Sequence, residues 1–486
     1  MKLTALLAGA SMALLSLPAA AETLYLTAGK FVDPVTAETV NRPAFVIEDG
    51  VITARGTANR LRKPAEATSI DLGDATLVPG FIDMHTHLTS DPEDPAYYSL
   101  SFSDERQVLT GVKNARKTLL AGFTTVRNVG ASSYGDVALR DAINEGDISG
   151  PRMFVSGPPV GILGGHCSDT NLLPSEYELT GENVATGPWE MREKVRRNIK
   201  YGVDLIKTCS TGGVFSKGTS LGAAQGTLEE LTAIAEEAHA RGIKVASHAH
   251  GTIGIKNAIL AGIDTIEHAS ILDEDTINLA KEHGTYLSMD IYNTEYTLAE
   301  GEKNGVLEES LAKERAISKI QRDSFTAAVK AGVKVVFGSD SGVYPHGDNG
   351  RQFSRMVTLG MTPMQALQAA TSLAAEALDK TGDLGCGDVG CRADFVAVDT
   401  NPLADMSAFE AVDFVMKDGV VYKRDGKPAL LAKYGAVNHT DQKVRTGQEP
   451  TLFQTVARPA GTRWLVVTPT GYGLFDHTPV ARYGAW

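Results

Sequence analysis

Between residues 80 and 340 the chain alternates short β-runs with helical stretches, a pattern that confines it to folds built on a parallel sheet. The runs are FIDMHTH, GFTTVRNVG, PRMFVSG, VDLIKT, KVASHAH, DTIEHAS, TYLSMDI and VKVVFGSD. Between most of them apolar positions recur every three or four residues, as in TLEELTAIAEEAHARG (227–242), where Gly242 supplies the stop. Parallel neighbours need crossover connections, and eight β/α units is the count of a closed barrel. An open doubly wound sheet is the competing arrangement. Against it, no Gly-rich phosphate fingerprint follows the first run.

Most of these runs close on metal-ligand residue types: His85 and His87, Lys207, His248, His268 and Asp340. In a parallel barrel such positions converge on one mouth, where active sites of that fold sit. Imidazole and carboxylate suit zinc and similar divalent ions, and two-metal sites polarise a carbonyl while generating hydroxide at neutral pH. Hydrolysis is the chemistry indicated. By itself Asp340 in GSDSG reads as a turn-capping carboxylate; following the other ligand types in order, it reads as one of them. Alternation along a strand points His248 and His250 to the same face, so spacing leaves open which of them is the ligand.

A chain of 486 residues, 43% hydrophobic, can bury one large core with an appendage. It opens with Lys2, an apolar run from Leu3 to Leu17 and Pro18-Ala19-Ala20-Ala21, the order of a secretory signal peptide (1–21) cleaved after Ala21. No segment reaches the roughly 20 apolar residues of a membrane span, so a periplasmic or secreted protein is expected. Loss of Lys2 takes the formal charge from -13 to -14, which argues against nucleic acid or anionic membrane as partner. Of the four cysteines, Cys386 and Cys391 bracket a short turn and are the better disulfide pair, two free thiols being the alternative. Cys167 and Cys209 follow the third and fourth runs and are placed to approach each other at the mouth, as a pair or as further ligands.

Residues 22–79 read as short strands and turns, as in AFVIEDGVITARG. After Asp340 come a helical stretch, TPMQALQAATSLAAEAL, and two β-runs, DFVAVDTNP and FVMKDGVVYK, able to return to that N-terminal module.

PGFIDMHTHL, the lysine of DLIKT, HAHGTIGIKNAILAGIDTIEH and FGSDSG resemble the amidohydrolase superfamily. The resemblance is to its exported imidazolonepropionase-like, Xaa-Pro and Xaa-Arg dipeptidase and ochratoxinase members, and it covers about residues 23 to 423. It implies a distorted (β/α)8 TIM barrel over 80–370. A small β-sandwich domain would form from 22–79 and 371–423, and 424–486 would be a C-terminal extension of unplaced role. It also implies a site for two divalent metal ions, expected to be zinc: His85, His87 and Asp340 on the buried ion, His248 and His268 on the exposed one, and Lys207 bridging as N6-carboxylysine. An unmodified ammonium has no lone pair with which to bridge.

The mechanism so implied is attack of metal-bridging hydroxide on the amide of a dipeptide-like or N-acyl amino acid substrate, with Asp340 as general base and acid. A cyclic-amide, imidazolonepropionase-like hydrolase is the alternative. His166 in the loop GILGGHCSD and His250 are the expected substrate-facing catalytic groups, and Tyr292 after the seventh run is a further candidate contact. His346 reads as a loop-ordering residue and Arg127 as half of an internal ion pair. His239, His283, His439 and His477 are given no role. Lys217 stands where many Xaa-Pro relatives carry proline, and Asp290 with Glu295 would favour substrates with a basic side chain. Exported barrels of this size often assemble, so a homo-oligomer is compatible with the chain.

Overall fold

Alternating side chains at the N-terminus produce strands with one buried face. In β1 (Thr23–Thr27) Leu24 and Leu26 point inward, while Thr23, Tyr25 and Thr27 are half-buried. The chain continues through β2 (Lys30–Asp33), β3 (Glu38–Asn41), β4 (Pro43–Glu48), β5 (Val51–Thr57), β6 (Thr68–Asp71) and β7 (Thr76–Pro79). One four-stranded sheet runs β5-β4-β1-β6. This is a computed structural model, and it describes residues 23–168, 171–429, 464–468 and 471–475; the expected signal peptide lies outside them. Among the described residues no helix is long and apolar enough to cross a membrane.

The eight expected runs then appear as β8 (Phe81–Thr86), β9 (Phe123–Asn128), β10 (Arg152–Val155), β11 (Leu205–Cys209), β12 (Lys244–Ala249), β13 (Thr265–His268), β14 (Tyr286–Met289) and β15 (Val335–Phe337). Every residue of β8, β9 and β11 is buried, because helices cover the outer face and side chains fill the inner one. All neighbours are parallel, in a three-stranded sheet β10-β9-β8 and a five-stranded sheet β11-β12-β13-β14-β15. Isolated parallel bridges join the edges of the two sheets, Val160 to Thr208 on one side and Thr86 to Ser341 on the other. Gly338 permits the second junction, since a methyl group there would meet Ser288 Oγ at 2.1 Å and His85 Cβ at 3.1 Å.

A helix follows each of these strands, and several begin at their own N-caps. The helix Leu228–His239 begins one residue after Thr227, whose side chain caps it in a capping box with Glu230. Asp273 caps the helix Glu274–His283 in the same position.

The C-terminal strands β16 (Phe395–Val398), β17 (Phe414–Lys417), β18 (Val420–Arg424) and β19 (Lys427–Pro428) return to the N-terminal module in a seven-stranded sheet, β19-β18-β17-β16-β7-β2-β3. Strand pairing thus continues past residue 424, to Pro428. The two sheets share a core in which Phe45 lies 5.3 Å from Phe31 and 4.9 Å from Phe395, ring centre to ring centre. The helix Ser372–Ala377 does not belong to that core. Its alanines pack with Ile82, Met84 and Val336 of the parallel strands. In a separate unit, β20 (Trp464–Thr468) and β21 (Gly471–Phe475) form an antiparallel hairpin.

Candidate metal centre and cavity

The C-terminal ends of the parallel strands deliver the expected residues to one cavity of about 460 Å³, lined by His85, His87, His166, Lys207, His248, His250, His268 and Asp340. His85 and His87 lie at the end of β8, and their Nε2 atoms are 3.2 Å apart. Asp340 Oδ1 is 3.3 Å from His85 Nε2 and 3.4 Å from His87 Nε2. Three donors each about 2.0–2.1 Å from one ion would be separated from one another by roughly 3.0–3.4 Å, so this group already has the spacing of a shared cation. His248, His250 and His268 form a second group whose ring nitrogens lie within 4.8 Å of one another. His268 and Asp340 also sit in the left-handed region, at φ 70° and 58°, a strained conformation for a side-chain-bearing residue.

The ring orientations are set from behind. His268 Nδ1 is 2.7 Å from Asp290 Oδ1, and His250 Nδ1 is 2.8 Å from Ser270 Oγ, so each turns its Nε2 the other way. His85 Nδ1 lies 3.0 Å from Glu267 Oε2, and the other oxygen of Glu267 accepts from Arg127 Nη2 at 2.5 Å. That pair is the internal partnership expected of Arg127, whose guanidinium also donates to Met84 O and Thr265 Oγ1. His248 Nε2 is buried with no hydrogen-bond partner among the described residues, a cost the fold accepts unless something else binds that lone pair.

Burial holds His87, His166, His248, His250 and His268 below the usual imidazole range, and for His268 down to about 3. Neutral imidazoles are the ligand form. Burial opposes the charge on Asp340, yet the adjacent His85, with His87 and His268, keeps its carboxyl well below the usual range. Lys207 is pushed down to about 8, mainly by burial, which enlarges its share of free amine at neutral pH.

The other candidates divide between the cavity and its surroundings. Tyr292 does not line the cavity; its ring faces a shallow outer groove, with Arg355 5.0 Å and Arg351 5.9 Å from its centre and Tyr344 packed edge-on. Asp290 lines the cavity but is fully buried, its acceptors taken by His268, Asn293 and Gln321. Glu295 is occupied by Arg355 and Arg322. His346 Nε2 lies 3.2 Å from the carbonyl of His87, ordering the loop as expected. Cys386–Cys391 and Cys167–Cys209 are both disulfides.

The residue the sequence reading missed is Glu314, in the middle of the helix Glu308–Ala331. Its carboxyl is buried, lines the cavity and has no ion-pair partner within 4.0 Å among the described residues. An acid inside a long, charge-rich helix carries no pattern to single it out.

Comparison with known proteins identifies the family. Residues 76–422 match the profile of the family described as the Amidohydrolase family. Ochratoxinase of Aspergillus niger is 32% identical over 418 residues, which span 81% of this chain and 85% of that protein. A crystal structure of a Xaa-Pro dipeptidase with methionine bound in its active site superimposes with a TM-score of 0.78 at 36% identity, covering 83% of this chain and all of that one. A prolidase complexed with N-methylphosphonate-L-proline superimposes at 0.75 with 29% identity, over 83% of this chain and all of the prolidase.

Proposed function

The chain belongs to the amidohydrolase family and is a hydrolase acting on amide bonds, and on that premise we propose that it cleaves dipeptide-like or N-acyl amino acid substrates at a site for two divalent ions. The observation that carries this is the convergence of His85, His87 and Asp340 at 3.2–3.4 Å, backed by the unpaired Nε2 of His248. His85, His87 and Asp340 would hold one ion, and His248 and His268 the other. Lys207 would bridge them: its free amine adds to carbon dioxide, losing a proton, and the carbamate gains two acceptor oxygens. When bound, such ions, zinc in our reading, supply Lewis-acid polarisation of the scissile carbonyl and lower the pKa of water.

The chain's own residues do the rest. Asp340, held ionised, accepts the proton of the attacking water and passes it to the leaving amine. His250, its Nδ1 engaged by Ser270, and His166, its Nδ1 2.9 Å from Ser216 Oγ, present Nε2 to the substrate carbonyl or carboxylate. Among the described residues no arginine lines the cavity and Lys207 is its lysine, whereas Glu314 is a carboxyl with no ion-pair partner within 4.0 Å. That balance favours substrates carrying a cation, as an α-ammonium or a basic side chain, and gives the basic-substrate preference to Glu314 in place of Asp290 and Glu295.

We read the eight parallel strands, bridged at both sheet edges, as a distorted (β/α)8 barrel, and the two sheets sharing the Phe31–Phe45–Phe395 core as its small β-sandwich. Residues beyond Pro428 remain a C-terminal extension in this reading, and export through residues 1–21 accords with two disulfides. The test is metal content and hydrolysis of a panel of dipeptides, N-acyl amino acids and cyclic amides by wild type and Lys207→Ala. About two ions per chain and acyclic amide cleavage, both lost in the variant, are expected. A fully active Lys207→Ala protein would remove the bridged site, and cleavage confined to cyclic amides would move the substrate class.

A further inference from the structure

A disulfide ties the loop that carries His166 to the strand that carries Lys207, and none of the chemistry above uses it. Cys167 directly follows His166 and is bonded to Cys209, the last residue of β11 and two positions beyond Lys207. Both cysteines are buried and line the cavity. The chain from β10 to the helix Pro188–Lys200 contains, among its described residues, no regular element except the short turn Ser175–Tyr177. Its backbone is anchored to β11 at Val160, whose N–H donates to Lys207 O at 2.8 Å, but that is six residues before His166.

The remaining holds on His166 are individually weak. Its N–H donates to Gln225 Oε1 at 2.8 Å, its Nδ1 lies 2.9 Å from Ser216 Oγ, and its ring packs 4.0 Å from that of His248, centre to centre. On the other side it rests against the bare backbone of Gly213, where a methyl group would come within 2.5 Å of the ring. A neutral hydrogen bond contributes about 1 kcal/mol net, and loop backbone opens easily, whereas a crosslink persists through such openings.

We propose that the Cys167–Cys209 bond is a positioning element of the active site: it pins His166 against His248 at the cavity wall. Opening it would let the loop withdraw and slow hydrolysis without emptying the metal centre. Reduction by a phosphine breaks the S–S bond: the disulfide takes two electrons from the phosphine, and water supplies the oxygen of the phosphine oxide and the protons of the two thiols. The proposal rests on the hydrolase reading for its effect on rate, and on the geometry alone for its effect on the loop.

The test compares full-length wild type, Cys167→Ser/Cys209→Ser, His166→Asn, the combined variant, and Cys386→Ser/Cys391→Ser as control. Metal content, kcat and KM on the best wild-type amide substrate, and amide hydrogen exchange over residues 160–168 are measured. The double serine variant is expected to keep its metal, lose tenfold or more in kcat, and exchange faster over 160–168. Because both changes act through one side chain, the combined variant should lose no more than His166→Asn alone. The control should match wild type. Additive losses, unchanged kcat and exchange, or loss of metal in the double serine variant would overturn the proposal. If that variant does not fold, phosphine-treated folded wild type is read by the same measurements. Wild type inactive on every amide would sink the hydrolase reading, while the exchange measurement would still decide whether the bond positions the loop.

Discussion

At the scale of single residues, the cavity gathers neutral imidazoles around an ionised Asp340, and Glu314 is an acid that behaves differently from Asp340. Burial, with Asp290 and Asp340 nearby, pushes its carboxyl up to about 7, so an incoming ammonium would find it half protonated and draw it into the charged form. Glu314→Gln should lower kcat/KM on substrates with a cation by about 10- to 100-fold, the worth of a hydrogen bond to a charged group, and leave neutral N-acyl substrates little changed. Equal losses on both would mean that Glu314 is structural. Stability provides a second readout. The folded value lies above the ordinary 4.5, so the protonated carboxyl stabilises the fold below about pH 4.5, and that contribution is lost as pH rises through about 7. Measured against wild type, the melting temperature of Glu314→Gln should therefore rise between pH 5 and pH 8. The candidate ligands were legible because histidine and aspartate at strand ends have few other reasons to recur. The pairing of Asp290 with His268 was not legible, because only the folded chain brings the two together.

At the scale of elements, boundaries follow local chemistry. The helix Glu274–His283 starts where Asp273 accepts from the Thr276 N–H, and hydrogen bonds from Thr276 and Lys256 hold that carboxyl down to about 2. Asp273→Ala should cost about 1 kcal/mol at neutral pH, read as a lower urea midpoint or faster exchange in the first turn of that helix. A depressed value means the contribution is present above about pH 4 and fades as pH falls through about 2, so the two proteins should converge in acid. No difference at neutral pH would show that the helix is held by packing alone. Strand identities were readable from their apolar runs, but β15 is only three residues long, and Asp340 lies in the loop beyond it. That loop is held by the Asp340 N–H donating to His85 O, a contact between residues some 250 positions apart that no local pattern announces.

At the scale of the whole molecule, the strands of residues 23–79 and β16 to β18 meet in one core. Phe395 of β16 packs on Phe45 and Phe31, and it is fully buried. Phe395→Ala should destabilise the protein by about 3–5 kcal/mol, because the cavity left between two sheets cannot collapse readily. The loss should appear as increased exchange in β1, β4 and β17 together; loss confined to β16 would show that the sheets are not one cooperative unit. By itself the sequence determined the β/α alternation, the order of ligand types and the family, since periodicity and strand-end residues are local properties of the chain. Only the tertiary structure decided that His85, His87 and Asp340 share one point, that Cys167 meets Cys209, that Tyr292 lines a different groove and that Glu314 lines the cavity. Those outcomes depend on distances between segments far apart in the chain, which are set by how the strands register and how the helices settle against them.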